Sequence, residues 1–491
     1  MRKYIFIIVA LLAVHVILLG VFAAFRIADA DEGVYLNATR MVHQGMTPYT
    51  DFFYTQLSMM PTLFAAFGGG GWESFFILRS FAVIAGLLSA LLFTVIVLKQ
   101  TQDLKVTAIA LFFYSLSGMF ICWHSTYKAL PFCHLLTLAA FFFWYRYYEA
   151  RNVLSLILSG LFLSALINFR SVFIVLLPVY LISVIMLSDK RRPVMLGFYM
   201  ISLLVFAVPT LVRILDSTRH FFYGNLMFQL YRAGDRGLGA IISNRLEVIF
   251  RALIDPQILI ILLLTLISIW LIHKQRILRT ARDLFTKPEG MVLLNLVLIW
   301  AVYMLPHPMS RQYIGQYLAF ALLLTAFNYE GINNLFIKIL GDSTKRKLAY
   351  VAALVYIMML VPYTVIFVFG IRDTDTRYKL SSIREVTSGM LIHAGGRDTV
   401  LSEWPGYTFI TGQTPLRYTE IIGQDFNLPL EHEEYLRYNL CDRKYLYDEV
   451  TRKAPALVVN VYNPPEYYAG ALEENYELTM QSDVVSVYKR R

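Results

Sequence analysis

The stretch RKYIFIIVALLAVHVILLGVFAAF, Arg2 to Phe25, followed at once by RIADADEGVYL, Arg26 to Leu36, decides the fold of this chain. A basic start, about 22 apolar residues and then Asp29, Asp31 and Glu32 read as a membrane span ending at a polar boundary. The apolar run exceeds the roughly 7–15-residue core of a secretory signal, so a retained first span is expected despite the small residues Ala28 and Ala30.

Working outward, blocks of similar length recur at 75–98, 104–122, 129–148, 152–168, 171–188, 194–213, 256–273, 289–306, 312–329 and 348–369. Each approaches the roughly 20 residues that carry a helix across about 30 Å of hydrocarbon. The chain is 57% hydrophobic and 16% charged, with mean hydropathy +0.55; soluble domains carry about 25% charged residues. The expected architecture is an all-α polytopic membrane bundle of about 11 transmembrane helices, followed by a small soluble domain. Residues 1–369 form the bundle, with outer loops at 26–74 and 214–255, and residues 370–491 form the tail.

The formal charge of +10 does not point to nucleic acid, because the basic residues fall in short connections. These are Arg2/Lys3, Lys99/Lys105, Arg146/Arg151, Lys190/Arg191/Arg192, Lys274 to Lys287 and Lys338 to Lys347. Excess Lys and Arg marks cytoplasmic loops. The N-terminus is therefore expected inside and the tail outside, extracytoplasmic. Cys122, Cys133 and Cys441 show no metal spacing and no disulfide framework.

In the first outer loop, helical periodicity is expected near Tyr35–Val42 and Leu57–Phe67. In the tail, Thr399–Ser402, Ala456–Tyr462 and Val484–Tyr488 read as strands. Glu431–Leu440 and Lys444–Lys453 read as helices, which makes the tail a small α/β domain. Trp404-Pro405-Gly406-Tyr407 and Asn463-Pro464-Pro465 are turn-rich, and the tail is expected to cap the bundle's outer boundary and help select an acceptor.

Some outer charges are not explained by orientation. Lys128, Arg170 and Arg311 each stand alone in a tight outer hairpin. They either snorkel or share one anionic ligand. Arg213, Arg219, Arg232, Arg236, Arg245 and Arg251 line 214–255, with no lysine between Arg191 and His273. Arginine's planar fork suits phosphate, although a solvated helix face paired with Asp216, Asp235 and Glu247 fits equally. Asp31 and Glu32 read either as the N-terminus of a surface helix or as a base held near cations. His15, inside the first span, reads as a bundle-facing histidine.

Asp31-Glu32-Gly33-Val34-Tyr35-Leu36-Asn37-Ala38, with Gln44-Gly45-Met46-Thr47-Pro48-Tyr49-Thr50-Asp51-Phe52-Phe53 beyond it, resembles the first outer loop of GT-C-fold glycosyltransferases. The similarity is to the protein O-mannosyltransferase and aminoarabinose-transferase-like group. Arg311-Gln312-Tyr313 resembles that group's element before a late span. Tyr54 to Pro61 departs from the His-Pro-Pro-like stretch that relatives carry. The order of parts matches along nearly the whole chain.

The resemblance implies an integral-membrane glycosyltransferase that moves a sugar, with inversion, from a polyprenyl-phosphate carrier to an acceptor hydroxyl. Its setting would be a bacterial cytoplasmic (inner) membrane. It maps catalysis to Asp31, with Glu32 as neighbour, and the donor phosphate to Arg311. Lys128 and Arg170 join the phosphate set on the charge argument, with His307 and Tyr313 beside Arg311. Asp51, Tyr35 and His124 are acceptor or accessory candidates. The expected partners are a polyprenyl-phosphate sugar donor, membrane lipids, and a lipid, glycan or protein acceptor. No cofactor is expected to be required, although Asp29, Asp31 and Glu32 admit a divalent cation together with Asp51. A transporter or flippase of a lipid-linked sugar, and a scaffold acting through its tail, are the competing classes.

Overall fold

The computed structural model describes all residues except 189–191, 235–237, 305–308, 371–375, 396–397, 423–426, 462 and 483–484. Of the residues singled out above, Lys190, Arg191, Asp235, Arg236, His307, Tyr462 and Val484 lie outside the described residues, as does the side chain of Arg232.

Over its described residues, every candidate apolar block is mainly helical. Among the described residues six helices are long and apolar enough to cross a membrane by length and composition: Arg2–Phe25 (α1), Gly71–Thr101, Ala129–Ala150, Arg192–Asp216, Pro256–Lys274 and Tyr329–Phe367. Leu104–Ser115, Val153–Phe169, Ser171–Leu187 and Pro288–Tyr303 are shorter apolar helices. Ile314–Phe327 is almost wholly buried among the others. Side chains end several helices where the chain turns polar: Asp103, Asn152 and Asp255 each accept backbone N–H bonds at an N-cap. Outward-facing Ile5, Phe6, Val9, Ile17 and Phe25 on α1 are exposed. Such an apolar belt suits hydrocarbon and not water.

After α1 the chain enters a second helix, α2 (Ala30–His43), as the periodicity at Tyr35–Val42 predicts. Short turns of helix follow at Met59–Leu63 and Ala65–Phe67.

The described residues of 214–255 are largely helical. The Arg192 helix runs on to Asp216, and helical segments at Thr218–Phe222, Tyr223–Met227, Phe228–Gly234 and Leu238–Leu253 follow. Exposed Leu215, Phe222, Leu246 and Phe250 alternate with arginines, the composition of helices that lie along an interface.

Among the described residues the tail holds a five-stranded sheet in the order β2-β1-β3-β5-β4: β1 Thr399–Ser402, β2 Thr414–Pro415, β3 Leu457–Val461, β4 Tyr476–Gln481 and β5 Val485–Arg490. β1 pairs in parallel with β2 and β3, and β5 is antiparallel to β3 and β4. β3 is buried on both faces, as its unbroken run LVVNV requires. His432–Arg437 and Arg443–Thr451 are helices as expected. Leu380–His393, Pro405–Thr411 and Glu466–Asn475 are additional ones.

The tail is seated on α2. Arg40 of α2 donates to the carbonyls of Thr408 and Gln413, both at 2.7 Å, and of Gly412 at 2.5 Å. These close the C-terminal end of the Pro405–Thr411 helix, where a cation also meets the negative end of the helix dipole. Asn37 donates to the Glu420 carbonyl, and Trp404 Nε1 donates to the Ala30 carbonyl at 3.2 Å. Gly33 makes this seat possible. A Cβ there would overlap the Trp404 ring and stand 2.8 Å from the Gly406 nitrogen.

Candidate functional site

The exit of α1 is pinned before any functional side chain appears. Ile27 N–H donates to the Phe367 carbonyl at 2.9 Å, and Ala28 N–H to the Tyr378 carbonyl at 2.8 Å. Asp29 then caps α2. Its carboxylate accepts from the Asp31 N–H at 2.9 Å, and Glu32 reaches back to the Asp29 N–H at 3.3 Å. This is a capping box, built from two of the three carboxylates that the sequence places after the span.

The three carboxylates have different fates. Glu32 is fully buried. Arg79 grips it with two bonds, at 2.8 and 2.7 Å, and Tyr127 N–H donates to it at 2.9 Å. Burial pushes its pKa up, but the Arg79 charge and these bonds outweigh burial and hold it low. Arg79 also donates to the carbonyls of Ala23 at 2.9 Å and Arg26 at 3.1 Å, so the pair clamps the end of α1 to the start of α2. Glu32 therefore does not share an open face with Asp31. It is buried and paired with Arg79, whereas Asp31 faces outward.

Asp31, by contrast, has a side chain 57% exposed. Lys128 donates to it at 3.0 Å, to Asp29 at 2.7 Å and to Gln312 Oε1 at 2.8 Å. All three ammonium protons are thus directed at oxygens. The Lys128 side chain is only 3% exposed. Burial alone would lower its pKa, yet the two carboxylates raise it above the ordinary lysine value.

Arg170 is the C-cap of the Val153–Phe169 helix. Its guanidinium carbon lies 5.3 Å from the Tyr303 ring centre and 4.9 Å from that of Tyr313, and the two rings stack 4.7 Å apart. Among the described residues it forms no ion pair with a carboxylate; the groups that act on it are Tyr303, Tyr313, Tyr35 and Cys133. Tyr35 is buried within electrostatic reach of Arg170, Asp31, Lys128 and Tyr313. Burial first, and Asp31 among its neighbours, raise the Tyr35 phenol. Asp31, Lys128, Arg170, Tyr35 and Tyr313 are therefore one constellation.

The remaining candidates are elsewhere or already engaged. Arg311 begins a short turn and pairs with Asp255, while Tyr363 OH donates to the same carboxylate at 2.6 Å. His124 points into the bundle, stacked on Phe120 at 5.5 Å and 4.7 Å from the His134 ring. It cannot meet an acceptor at the surface. Asp51 closes a turn by accepting from Thr47 N–H at 2.6 Å. It lies beyond the far end of α2, about 20 Å along the helix from Asp31, so it is not a partner of Asp31. In the interfacial helices Arg251 pairs with Glu247 at 2.6 Å, and Arg219 donates to Tyr438 OH at 3.0 Å. Those two arginines do not converge on one anion.

Each carboxylate of the acidic trio is paired with a cationic side chain, Asp29 and Asp31 with an ammonium and Glu32 with a guanidinium. Among the described residues no group of three His, Cys, Asp or Glu is placed to hold a cation.

Sequence reasoning missed Arg79, Asp255 and Tyr363, and named Gln312 only as part of the Arg311-Gln312-Tyr313 element. Arg79 left a signal, since it is a lone arginine inside the apolar block 75–98. Arg26 is a further buried cation, set against the rings of Trp123 at 4.6 Å and Phe367 at 4.9 Å.

No family model and no curated protein matches the chain. Solved structures do. The ArnT of Cupriavidus metallidurans bound to undecaprenyl phosphate is 14% identical, with TM-score 0.65, over 99% of this chain and 97% of that one. Its apo state gives 12% and 0.67, over 98% and 97%. The oligosaccharyltransferase AglB of Archaeoglobus fulgidus, in complex with an inhibitory peptide and a dolichol-phosphate, is 11% identical with TM-score 0.56, over 100% of this chain and 74% of that one. These neighbours are GT-C-fold glycosyltransferases. The chain shares their fold, which is the one the first outer loop pointed to.

Proposed function

We propose that this GT-C-fold chain is an integral-membrane glycosyltransferase that moves a sugar from a polyprenyl-phosphate donor to an acceptor hydroxyl on the outer face of the membrane. The carrying observation is the contrast between two neighbours in one constellation. Asp31 is an accessible carboxylate, whereas Arg170 is a half-buried cation without a carboxylate partner among the described residues. The first suits a base and the second an incoming anion. That ArnT and AglB structures hold undecaprenyl phosphate and dolichol-phosphate supports a donor of that chemistry.

In this reading the acceptor oxygen attacks the anomeric carbon from the face opposite the phosphate. The new C–O bond forms as the bond to the phosphate oxygen breaks, with inversion, and Asp31 takes the hydroxyl proton. A glycosyl phosphate already carries a good leaving group, so no strong acid is needed. Arg170 meets the charge that develops on the departing phosphate, and Lys128 holds Asp31 in place. The guanidinium is pre-set by two tyrosine faces and needs little reorganisation to form a bidentate contact. Arg311, already paired with Asp255, is assigned to the wall of the site and not to the phosphate.

The test is mass spectrometry of lipid that co-purifies with the full-length protein, with sugar transfer measured alongside. Polyprenyl phosphate is expected on the wild type and on Asp31→Asn, with transfer lost in the latter. Absence of any polyprenyl phosphate, or full transfer by Asp31→Asn, overturns the assignment.

A further inference from the structure

At the far end of α2 from Asp31, a cavity of about 510 Å³ lies between the first outer loop and the tail. Its polar wall is Gln44, Thr50 and Asp51 from the loop, and Arg417, Glu420 and Asn439 from the tail. The volume falls within the roughly 300–1,000 Å³ of small-ligand sites. The lining is unlike an acyl-chain site, because Met46 is its single large apolar side chain.

Part of its hydrogen-bonding capacity is spent within the protein: the Thr50 hydroxyl pairs with that of Ser217, Asp51 accepts from Thr47 N–H at 2.6 Å, and the Glu420 carboxyl accepts from the Tyr418 N–H. Asn439 donates to the carbonyls of Tyr49 at 3.2 Å and Thr50 at 3.1 Å, which leaves its Oδ1 without a donor among the described residues. The Arg417 guanidinium contacts the Tyr418 ring at 4.8 Å. Neither it nor the Gln44 amide makes a side-chain hydrogen bond among the described residues. Glu420 is only 6% exposed and has no ion pair among the described residues. Donors (Arg417, Gln44) thus share the wall with acceptors that keep lone pairs to spare (Asp51, Glu420, Asn439). A hydroxyl both donates and accepts, so a polyol satisfies such a wall. A phosphate would face two carboxyl groups, and a peptide would find little apolar surface for its side chains.

We propose that this cavity is an acceptor subsite that binds the carbohydrate of an extended acceptor, away from the hydroxyl that reacts. The proposal rests on the transfer reaction above. The cavity begins about 20 Å along α2 from Asp31, so a molecule that reaches both must carry several linked sugars. Binding energy gained there would orient the reacting end.

The test uses the full-length protein in lipid nanodiscs on an array of immobilised oligosaccharides, with short peptides as control spots. Gln44→Ala combined with Arg417→Gln removes two exposed groups without protein hydrogen bonds, so folding is unaffected. Glycan binding is expected for the wild type and for Asp31→Asn, and to fall about tenfold in the double variant. No glycan binding by the wild type, equal binding by the double variant, or binding to peptides in place of glycans each overturns it. If Asp31→Asn keeps full transfer while the double variant still loses glycan, the reaction assignment fails and the subsite stands.

Discussion

The ammonium of Lys128 lies 3.0 Å from the Asp31 carboxylate and approaches it from a buried position. The exposed partner is therefore held by the buried one. The same ammonium binds Asp29, the cap of α2, so one cation fixes both the helix and the carboxylate that protrudes from it.

Lys128→Met should therefore damage structure and activity together. It leaves Asp29 without its buried partner, and breaking such pairs costs on the order of 3 kcal/mol. A lowered Tm and increased hydrogen exchange across 29–36 are expected. Unchanged exchange there would mean that the ion pair does not position α2.

Asp31→Asn should behave differently. Asp29, not Asp31, accepts the capping bond, and the Asp31 side chain is largely outside. The Tm should barely move, while transfer falls by about 10²–10⁴-fold, the usual contribution of a general base. A loss smaller than tenfold would point to another base.

Arg170→Gln should separate donor binding from stability. No carboxylate is left unpaired among the described residues, so the fold should persist. A charge-assisted contact to phosphate is expected to be lost, with KM for the lipid donor rising by about tenfold or more. Arg170→Lys should restore charge without the fork and recover only part of this. Wild-type KM in the Gln variant would remove Arg170 from the phosphate site.

These residues differ in how visible they were. The bundle was legible because span length and charge asymmetry are local, repeated signals, and the Asp29–Glu32 cluster stood out because it follows the first span directly. What divides Asp31 from Glu32 is not local. It depends on Arg79 and Lys128, which arrive 47 and 97 residues later. The Arg79 signal was available, as a charge within an apolar block. Nothing near Asp255 in sequence marks it as the partner of Arg311, 56 residues later. The seat of the tail was hidden for the same reason: Trp404 was visible as part of a turn-rich site, but not as the residue that needs a glycine at position 33.

That seat is open to a small substitution. Gly33→Ala adds one methyl group against the Trp404 ring and the Gly406 backbone. Overpacking of this kind costs about 1–3 kcal/mol. The expected result is faster hydrogen exchange at 405–411 and at the start of α2, with the remainder of the bundle unchanged. Protection equal to wild type would show that the tail does not rest on this contact.

The last prediction concerns pH. Burial pushes the Glu420 carboxyl from its ordinary 4.5 up to about 7. A group whose folded pKa lies above its unfolded value favours the folded state at low pH, where it is protonated in both. That advantage is lost as pH rises from 4.5 through about 7, because the unfolded chain ionises freely and the folded one resists. The displacement corresponds to a penalty on the order of 3 kcal/mol at pH 8. Glu420→Gln keeps the shape and removes the ionisation. Its Tm relative to wild type should therefore rise between pH 5 and pH 8. Asn37 should hold its bond throughout, because it binds the Glu420 backbone carbonyl and not the side chain. A Tm difference that stays flat over this range would mean that the carboxyl is ionised in the folded protein at pH 5, and that the cavity beside α2 holds a full negative charge.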